Sequence, residues 1–293
     1  MPAAVLLSSA RSELWLPPLA LAGCVRAGLL RDTTGVVLSD AQRHNHFPAT
    51  PLVSLSWWFT GHSEMLEGVE RPDSRRPVPG RFVFGGPFTR PSTSYNHGPV
   101  HAMMLMLLPD AMHLLTGLDP QAHVNRLSDA RLVLPAPWLT LGEAVLQASD
   151  DRARWRLIEE FMRPRWATVR QSSRGIGAQF QRYQDWAQGL MLRAATSATG
   201  RSLRQTERRI KQWAGLPMRE LKALSRAERV FFDALAAQAD SGSVDWVEVA
   251  LQGGYADQSH LCRETRRITG FSPEELRRRI AGDESFWAYR LWE

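Results

Sequence analysis

The chain is poor in cysteine: Cys24 and Cys262 are the only two. Two thiols cannot staple a disulfide scaffold, and their spacing fits no metal knuckle, so a reduced setting is expected. Cys262 reads as a packing thiol. Long apolar runs are also missing. The longest, Ala102–Leu108, is seven residues, far short of the roughly 20 that a membrane helix needs. Leu21-Ala22-Gly23-Cys24 looks like a lipoprotein cleavage box. The stretch before it carries Glu13, Pro17-Pro18 and only Arg11 as a basic residue, which disqualifies it as a signal peptide. No nucleophile elbow, phosphate-binding loop or zinc-protease motif occurs, and no low-complexity segment. These absences argue against secreted disulfide-rich, membrane-spanning and common hydrolase classes.

What is present is a 293-residue chain with 44% hydrophobic residues, enough for two cored domains. The net charge of +6 is unevenly placed. Residues 1–150 hold 11 basic and 12 acidic residues, net −1; residues 151–293 hold 25 and 18, net +7. A basic half joined to a neutral half suggests a polyanion-binding module attached to a second unit.

Residues 1–108 read as β-rich. Leu52–Phe59, Arg81–Phe84 and Val100–Leu108 are dense in strand formers, with turn-rich stretches at Arg71–Gly80 and Pro91–Pro99 between them. Short strands with such turns suggest a small barrel or sandwich. After Asp110 the pattern becomes helical. Short helices are expected at Asp110–Thr116 and Pro120–Arg126, and longer ones at Leu139–Ala148 and Asp151–Val169, where Trp155, Ile158, Phe161 and Met162 recur at helical spacing. Gln171–Gly177 is the best linker. The predicted fold class is α+β: a β-rich barrel- or sandwich-like N-terminal domain with helices, residues 1–170, then an all-α DNA-binding domain, residues 178–282.

Two helix-turn-helix units carry the chemistry. In the C-terminal one, Val247, Ala250 and Leu251 put apolar groups on one face of a first helix. Gly253-Gly254 supplies a positive-φ exit and Asp257 a natural N-cap. Leu261, Thr265 and Ile268 face inward. Gln258, Ser259, His260, Arg263, Arg266 and Arg267 are left outward: Gln and Arg suit adenine and guanine edges, while Arg266 and Arg267 suit phosphates. In the upstream unit the first helix falls within Trp186–Thr196 and Ser202 caps the second. There Leu203, Thr206, Ile210 and Trp213 form the inward stripe, and Arg201, Arg204, Gln205, Arg208 and Lys211 face out. Pro217–Ala239 reads as a long connecting helix, with Leu221, Leu224, Val230, Phe231 and Leu235 on its buried side. A single basic helix face is usually only solvated. Two joined by one helix make a bipartite reader of successive major grooves about 34 Å apart.

The segment from about Tyr183 to Arg279 resembles the DNA-binding domain of AraC/XylS-type transcription regulators. The likeness is densest in GYADQSHLCRETRRITGFSP, and SLRQTERRIKQWAG resembles the family's first reading helix and its glycine end. The resemblance implies two helix-turn-helix units bridged by a long helix. It puts base readers at Arg204, Glu207 and Arg208 and at Gln258, Ser259, His260 and Arg263. Glu207 departs from the usual neutral or basic choice there. A bacterial, cytoplasmic, nucleoid-associated transcription factor is implied, not an enzyme. Its expected partner is double-stranded DNA, with a small-molecule effector, RNA polymerase and a second copy of the chain as further candidates. No cofactor and no membrane are expected.

The N-terminal half is less informative. Family members often place an effector-binding or dimerising domain there. Trp57, Trp58 and Phe59 are candidate pocket residues, with strand alternation putting one side in the core, and Arg81 and His97 are candidate anchors for an acidic ligand. His44 and His46 would share one face of a strand and could chelate a metal with His97 or His101, although Pro48 and Pro51 suggest a loop. The alternative function is therefore a metal-dependent, cupin-like enzyme fused to a DNA module. A third reading is a regulator whose N-terminal domain makes only protein contacts.

Overall fold

The computed structural model describes residues 10–66, 74–172, 182–196 and 202–292. Ten strands come first: β1 (Arg11–Trp15), β2 (Val25–Asp32), β3 (His44–Phe47), β4 (Val53–Thr60), β5 (Ser63–Leu66), β6 (Arg75–Pro77), β7 (Phe82–Gly85), β8 (Ser92–Asn96), β9 (His101–Leu107) and β10 (Leu127–Asp129). They form two antiparallel sheets, a six-stranded one in the order β1-β2-β9-β4-β7-β10 and a four-stranded one in the order β3-β8-β5-β6.

Alternation along β4 shows how the larger sheet is used. Leu55 and Trp57 are fully buried, and Trp57 stacks on Phe82 with ring centroids 5.0 Å apart. Ser54, Ser56 and Trp58, on the other face, look into a cavity of about 440 Å³ that residues of both sheets line. Successive strand side chains must point to opposite faces, so one strand serves the core and the cavity at once. The expected barrel or sandwich is thus realised as two open sheets facing a common space. They do not close into a barrel; at β3, one edge of the smaller sheet, the Trp287 indole N–H of the C-terminal segment donates to Asn45 Oδ1 at 2.8 Å.

The helices are α1 (Pro109–Thr116), α2 (Ala136–Gln147), α3 (Asp151–Ser172), α4 (Tyr183–Thr196), α5 (Leu203–Ala214), α6 (Met218–Ser241), α7 (Trp246–Gln252), α8 (Gln258–Thr269), α9 (Pro273–Gly282) and α10 (Trp287–Arg290). Helix α3 covers the large sheet, where the Trp155 ring lies so near Gly28 that a Cβ there would sit 2.5 Å from it. The helix expected at Pro120–Arg126 is only a 3₁₀ turn over Pro120–His123, after which the chain enters β10. Of the linker Gln171–Gly177, the first two residues end α3 and 173–177 lie outside the described residues. One buried cluster runs from Leu21 through Trp57, Trp166 and Leu190 to Ile268, so both halves of the sequence share a core. Among the described residues no helix is long and apolar enough to cross a membrane.

Candidate nucleic-acid interface

In the second reader, Asp245 caps α7 by accepting from the N–H groups of Val247 and Glu248 at 2.9 and 3.2 Å. The buried face of α7 differs from the expected one. Val249 and Ala250 are buried, whereas Val247 and Leu251 are 54% and 62% exposed. Trp246, Val249, Ala250 and Gly253 stand at i, i+3, i+4 and i+7 and turn toward α6, where Val230 waits. The expected stripe lies one residue out of phase with this face. Gly254 takes φ +74°, and the turn is closed by the Tyr255 N–H donating to the Ala250 carbonyl at 2.9 Å. Asp257 then caps α8, accepting from the His260 N–H at 2.6 Å. Leu261 and Ile268 are buried and Gly270, at φ +89°, ends the helix.

On the outer side of α8, Gln258, Ser259, Arg263 and Arg266 are exposed. His260 is half-buried and sits edge-on to the Tyr255 ring, 5.2 Å between centroids. Arg267 has a different setting. Its guanidinium donates to Glu220 Oε1 at 2.6 Å and to Glu264 Oε2 at 3.2 Å. Burial works against its charge, but the bonds to Glu220 and Glu264 outweigh that and raise its pKa. Its first task is therefore to tie α8 to α6.

In the first reader, Ser202 caps α5 by accepting from the Gln205 N–H at 3.3 Å, and Gly215 at φ +76° ends the helix. Ile210 is buried and Trp213 packs against the core. Arg204, Gln205 and Arg208 are exposed, and Lys211 is half-exposed. Arg201 and the side chain of Leu203 lie outside the described residues. Glu207 Oε1 accepts the Met218 backbone N–H at 3.1 Å. It thereby satisfies an otherwise orphan donor at the start of α6, a use invisible in the sequence.

Partnering sorts the cations of the helical region. Arg277 and Arg279 are ion-paired with acids on their own helix, and Arg193 binds Asp110. Arg226 and Arg229 donate to the carbonyls of Gly254 and Gln252. Among the described residues Arg204, Arg208, Lys211, Arg263 and Arg266 have no acid partner. Arg219, Lys222 and Arg278 share that state and were missed by sequence reasoning. All three are exposed.

The N-terminal candidates separate likewise. Trp57 is not part of the cavity wall. The Arg81 guanidinium donates to the carbonyls of Trp58 and Phe59 at 3.0 and 2.9 Å, at the surface. His97 Nε2 lies 2.7 Å from Glu64 Oε2, and its ring stacks on His62. None of the three reaches the cavity. The histidines considered for a metal are dispersed: His44 Nδ1 lies 3.1 Å from the Asp40 carbonyl, His46 Nδ1 3.1 Å from Thr93 Oγ1 and His101 Nε2 2.9 Å from Asp151 Oδ1. Among the described residues no group of three or more His, Cys, Asp or Glu could hold a metal ion.

The cavity instead presents two arginines of β2. Arg26 pairs with Glu228 of α6 at 3.2 Å. Burial pushes the pKa of Glu228 up, against the pull of Arg26. Arg31 is 4% exposed and donates to Ser12 Oγ and Glu284 Oε1, at 2.7 and 2.6 Å, while its buried Nε has no partner among the described residues. The acidic partners, Glu228 and Glu284, stand 202 and 253 residues away along the chain, so no local signal could have found them.

No family model and no curated protein matches the chain. Among solved structures, ToxT from Vibrio cholerae O395 aligns at 12% identity, covering 82% of this chain and 95% of that one, with a TM-score of 0.37. An unsaturated fatty acid-bound wild-type ToxT from V. cholerae strain SCE256 aligns at 10% identity over 79% and 93%, with a TM-score of 0.34. The AraC-like transcriptional activator CuxR aligns at 13% identity over 96% and 98%, with a TM-score of 0.26. A likeness of this degree carries no functional inference, which rests on the residues of this chain.

Proposed function

We propose that this chain is a sequence-specific, DNA-binding transcription regulator of the AraC/XylS type. The observation that carries the reading is the pair of capped helices, α5 and α8. Each buries an apolar stripe and leaves outward cations that have no acid partner among the described residues: Arg204, Arg208 and Lys211 on one, Arg263 and Arg266 on the other. Unpaired surface cations beside amide and hydroxyl groups suit phosphates and base edges. The reading unit would be residues 178–282, and residues 1–170 the modulating unit. A small-molecule effector would enter the cavity. Its wall is largely apolar, with Leu29, Phe47, Met104 and Met106, and it includes the cationic residues Arg26 and Arg31, so an apolar molecule with one acidic group fits. On this reading the protein works at the nucleoid in the cytoplasm, with RNA polymerase and a second copy of the chain as candidate protein partners.

The test is selection of bound genomic fragments by the purified chain. The expected result is one motif of two half-sites whose centres lie about 10–10.5 bp apart, lost in an Arg208→Ala, Arg263→Ala variant. Recovery no better than input would refute the proposal.

A further inference from the structure

Arg219 and Lys222 stand one turn apart on α6, exposed and without an acid partner among the described residues. The opposite side of that turn is sunk in the core through Leu221 and Leu224. Two contacts fix where the turn sits. Glu207 of α5 holds the Met218 N–H, and Arg267 of α8 holds Glu220. Each contact comes from the flank of an outward basic face. On α5, Glu207 lies between Arg204 and Arg208; on α8, Arg267 follows Arg263 and Arg266. The first turn of α6 therefore bridges the edges of the two faces, and its own two cations point outward from the bridge.

On a duplex, two major grooves read from one side are separated by a minor groove bordered by two phosphate strands. A cation between the readers meets those phosphates and no base edge of either half-site. We propose that Arg219 and Lys222 form a third contact site of the protein, for the phosphodiester backbone of the spacer between the half-sites. The site rests on the DNA-reading function proposed above. It differs from the readers in kind: it adds affinity and register without sequence preference. The acids Glu207 and Glu220 acquire a purpose in the same arrangement. Glu220 is offset by the Arg267 guanidinium, and Glu207 is turned to the Met218 N–H.

The experiment uses the full chain, the most enriched genomic fragment and a scrambled duplex of equal length. Affinity is followed over a sodium chloride series. Each phosphate contact contributes about 0.9 to the slope of log affinity against log salt. Arg219→Ala, Lys222→Ala should thus lower the slope by about 1.8 on both duplexes, with an unchanged melting temperature because both side chains are exposed. An Arg152→Ala, Arg156→Ala variant removes the same charge from the exposed side of α3, far from either contact, and should keep the wild-type slope. Neutral methylphosphonate linkages in the spacer should weaken wild-type binding and leave the α6 variant nearly unaffected. An α6 variant with the wild-type slope, or spacer linkages that weaken both proteins equally, would overturn the third site while leaving the readers standing. A wild-type chain that binds neither duplex would overturn both.

Discussion

Replacing Gly253 with alanine should destabilise the second reader although the backbone there is ordinary. Gly253 has φ −67°, which any residue adopts. The obstacle is space. A Cβ would lie 2.5 Å from Val230 Cγ2, 2.9 Å from the Val249 carbonyl oxygen and 3.1 Å from Tyr255 Cδ2. Carbon atoms in contact normally sit about 3.5–4.0 Å apart, so the methyl group overlaps Val230 by about 1 Å. Val230 and Tyr255 are 5% and 4% exposed, and close-packed neighbours yield little. Overpacking of this kind costs about 1–3 kcal/mol. Gly254 offers the contrast. It has φ +74° and nothing within 4 Å, so alanine meets only the left-handed backbone penalty, about 1–2 kcal/mol. Asparagine, which tolerates that region, should recover much of the loss at position 254 and make matters worse at 253. Urea unfolding of the two alanine and two asparagine variants reads the difference. Val230→Ala in the Gly253→Ala background closes the argument, because removing the opposing methyl groups should return about 1 kcal/mol or more relative to the sum of the single changes. A Gly253→Ala protein of wild-type stability, or a cost indifferent to Val230→Ala, would refute the packing described for α6 and α7.

Arg263→Ala should weaken operator binding by about 1–3 kcal/mol while sparing random DNA, whereas Arg266→Ala should weaken both alike; gel shifts on paired duplexes separate the two roles. Glu207→Ala should lower unfolding stability by about 1 kcal/mol through loss of the Met218 cap, and Glu207→Gln, which keeps an acceptor, should not. A changed sequence preference in the Gln variant at wild-type stability would assign Glu207 to base reading instead. His46 packs on the rings of Phe286 and Phe271, and burial, aided by His44 and Arg279 and opposed by Asp283, lowers its pKa from an ordinary 6.5 to about 4. Its folded value is depressed, so its contribution is complete above pH 6.5 and is lost as pH falls toward 4. The loss should be about 1–2 kcal/mol once its water-facing part is allowed for. His46→Phe should flatten the stability profile over that window in urea titrations, and an unchanged profile would contradict the burial.

The helices near the readers were legible because their ends are written locally. Ser202, Asp257 and Gly215 each act within three or four residues of themselves, and each takes the place expected of it; Gly270 ends α8 in the same local way. The central strand β4 was legible from its density of apolar residues. The short strands β3, β5, β6 and β8 were not. They are polar or half-exposed, and their pairing is decided by partners such as Ser94 for Asn45, 49 residues on. Strand β10, Leu127–Asp129, follows a segment whose composition suits a helix, and its pairing with β7 decided the outcome. Site residues followed the same rule. Exposure of Gln258, Ser259 and Arg263 came from helical phase. The engagement of Glu207 and Arg267 came from groups 11 and 47 residues away. In the N-terminal half the alternation held, since one face of β4 is core: of the aromatic candidates Trp58 lines the cavity, whereas Trp57 lies in the core.

The last turn of the chain has a practical bearing on how this protein can be dissected. Phe286, Trp287 and Tyr289 are all at most 6% exposed: Phe286 and Tyr289 pack with Leu276, Ile280 and Phe231 of the helical half, while Arg31 and Asn45 lie against Trp287 and His46 against Phe286. A fragment cut near residue 178 to isolate the helical half would strip the strand cover from Trp287 and from one side of Phe286, and would open the shared core at Trp186, Leu190 and Ile268. Such a fragment would clump or borrow strands from its neighbours, so its behaviour in solution would misrepresent the parent chain. Trimming the piece at Gly282 is no remedy, because Leu276, Ile280 and Phe231 would then lose Phe286 and Tyr289, so the reading helices are best studied in the full chain.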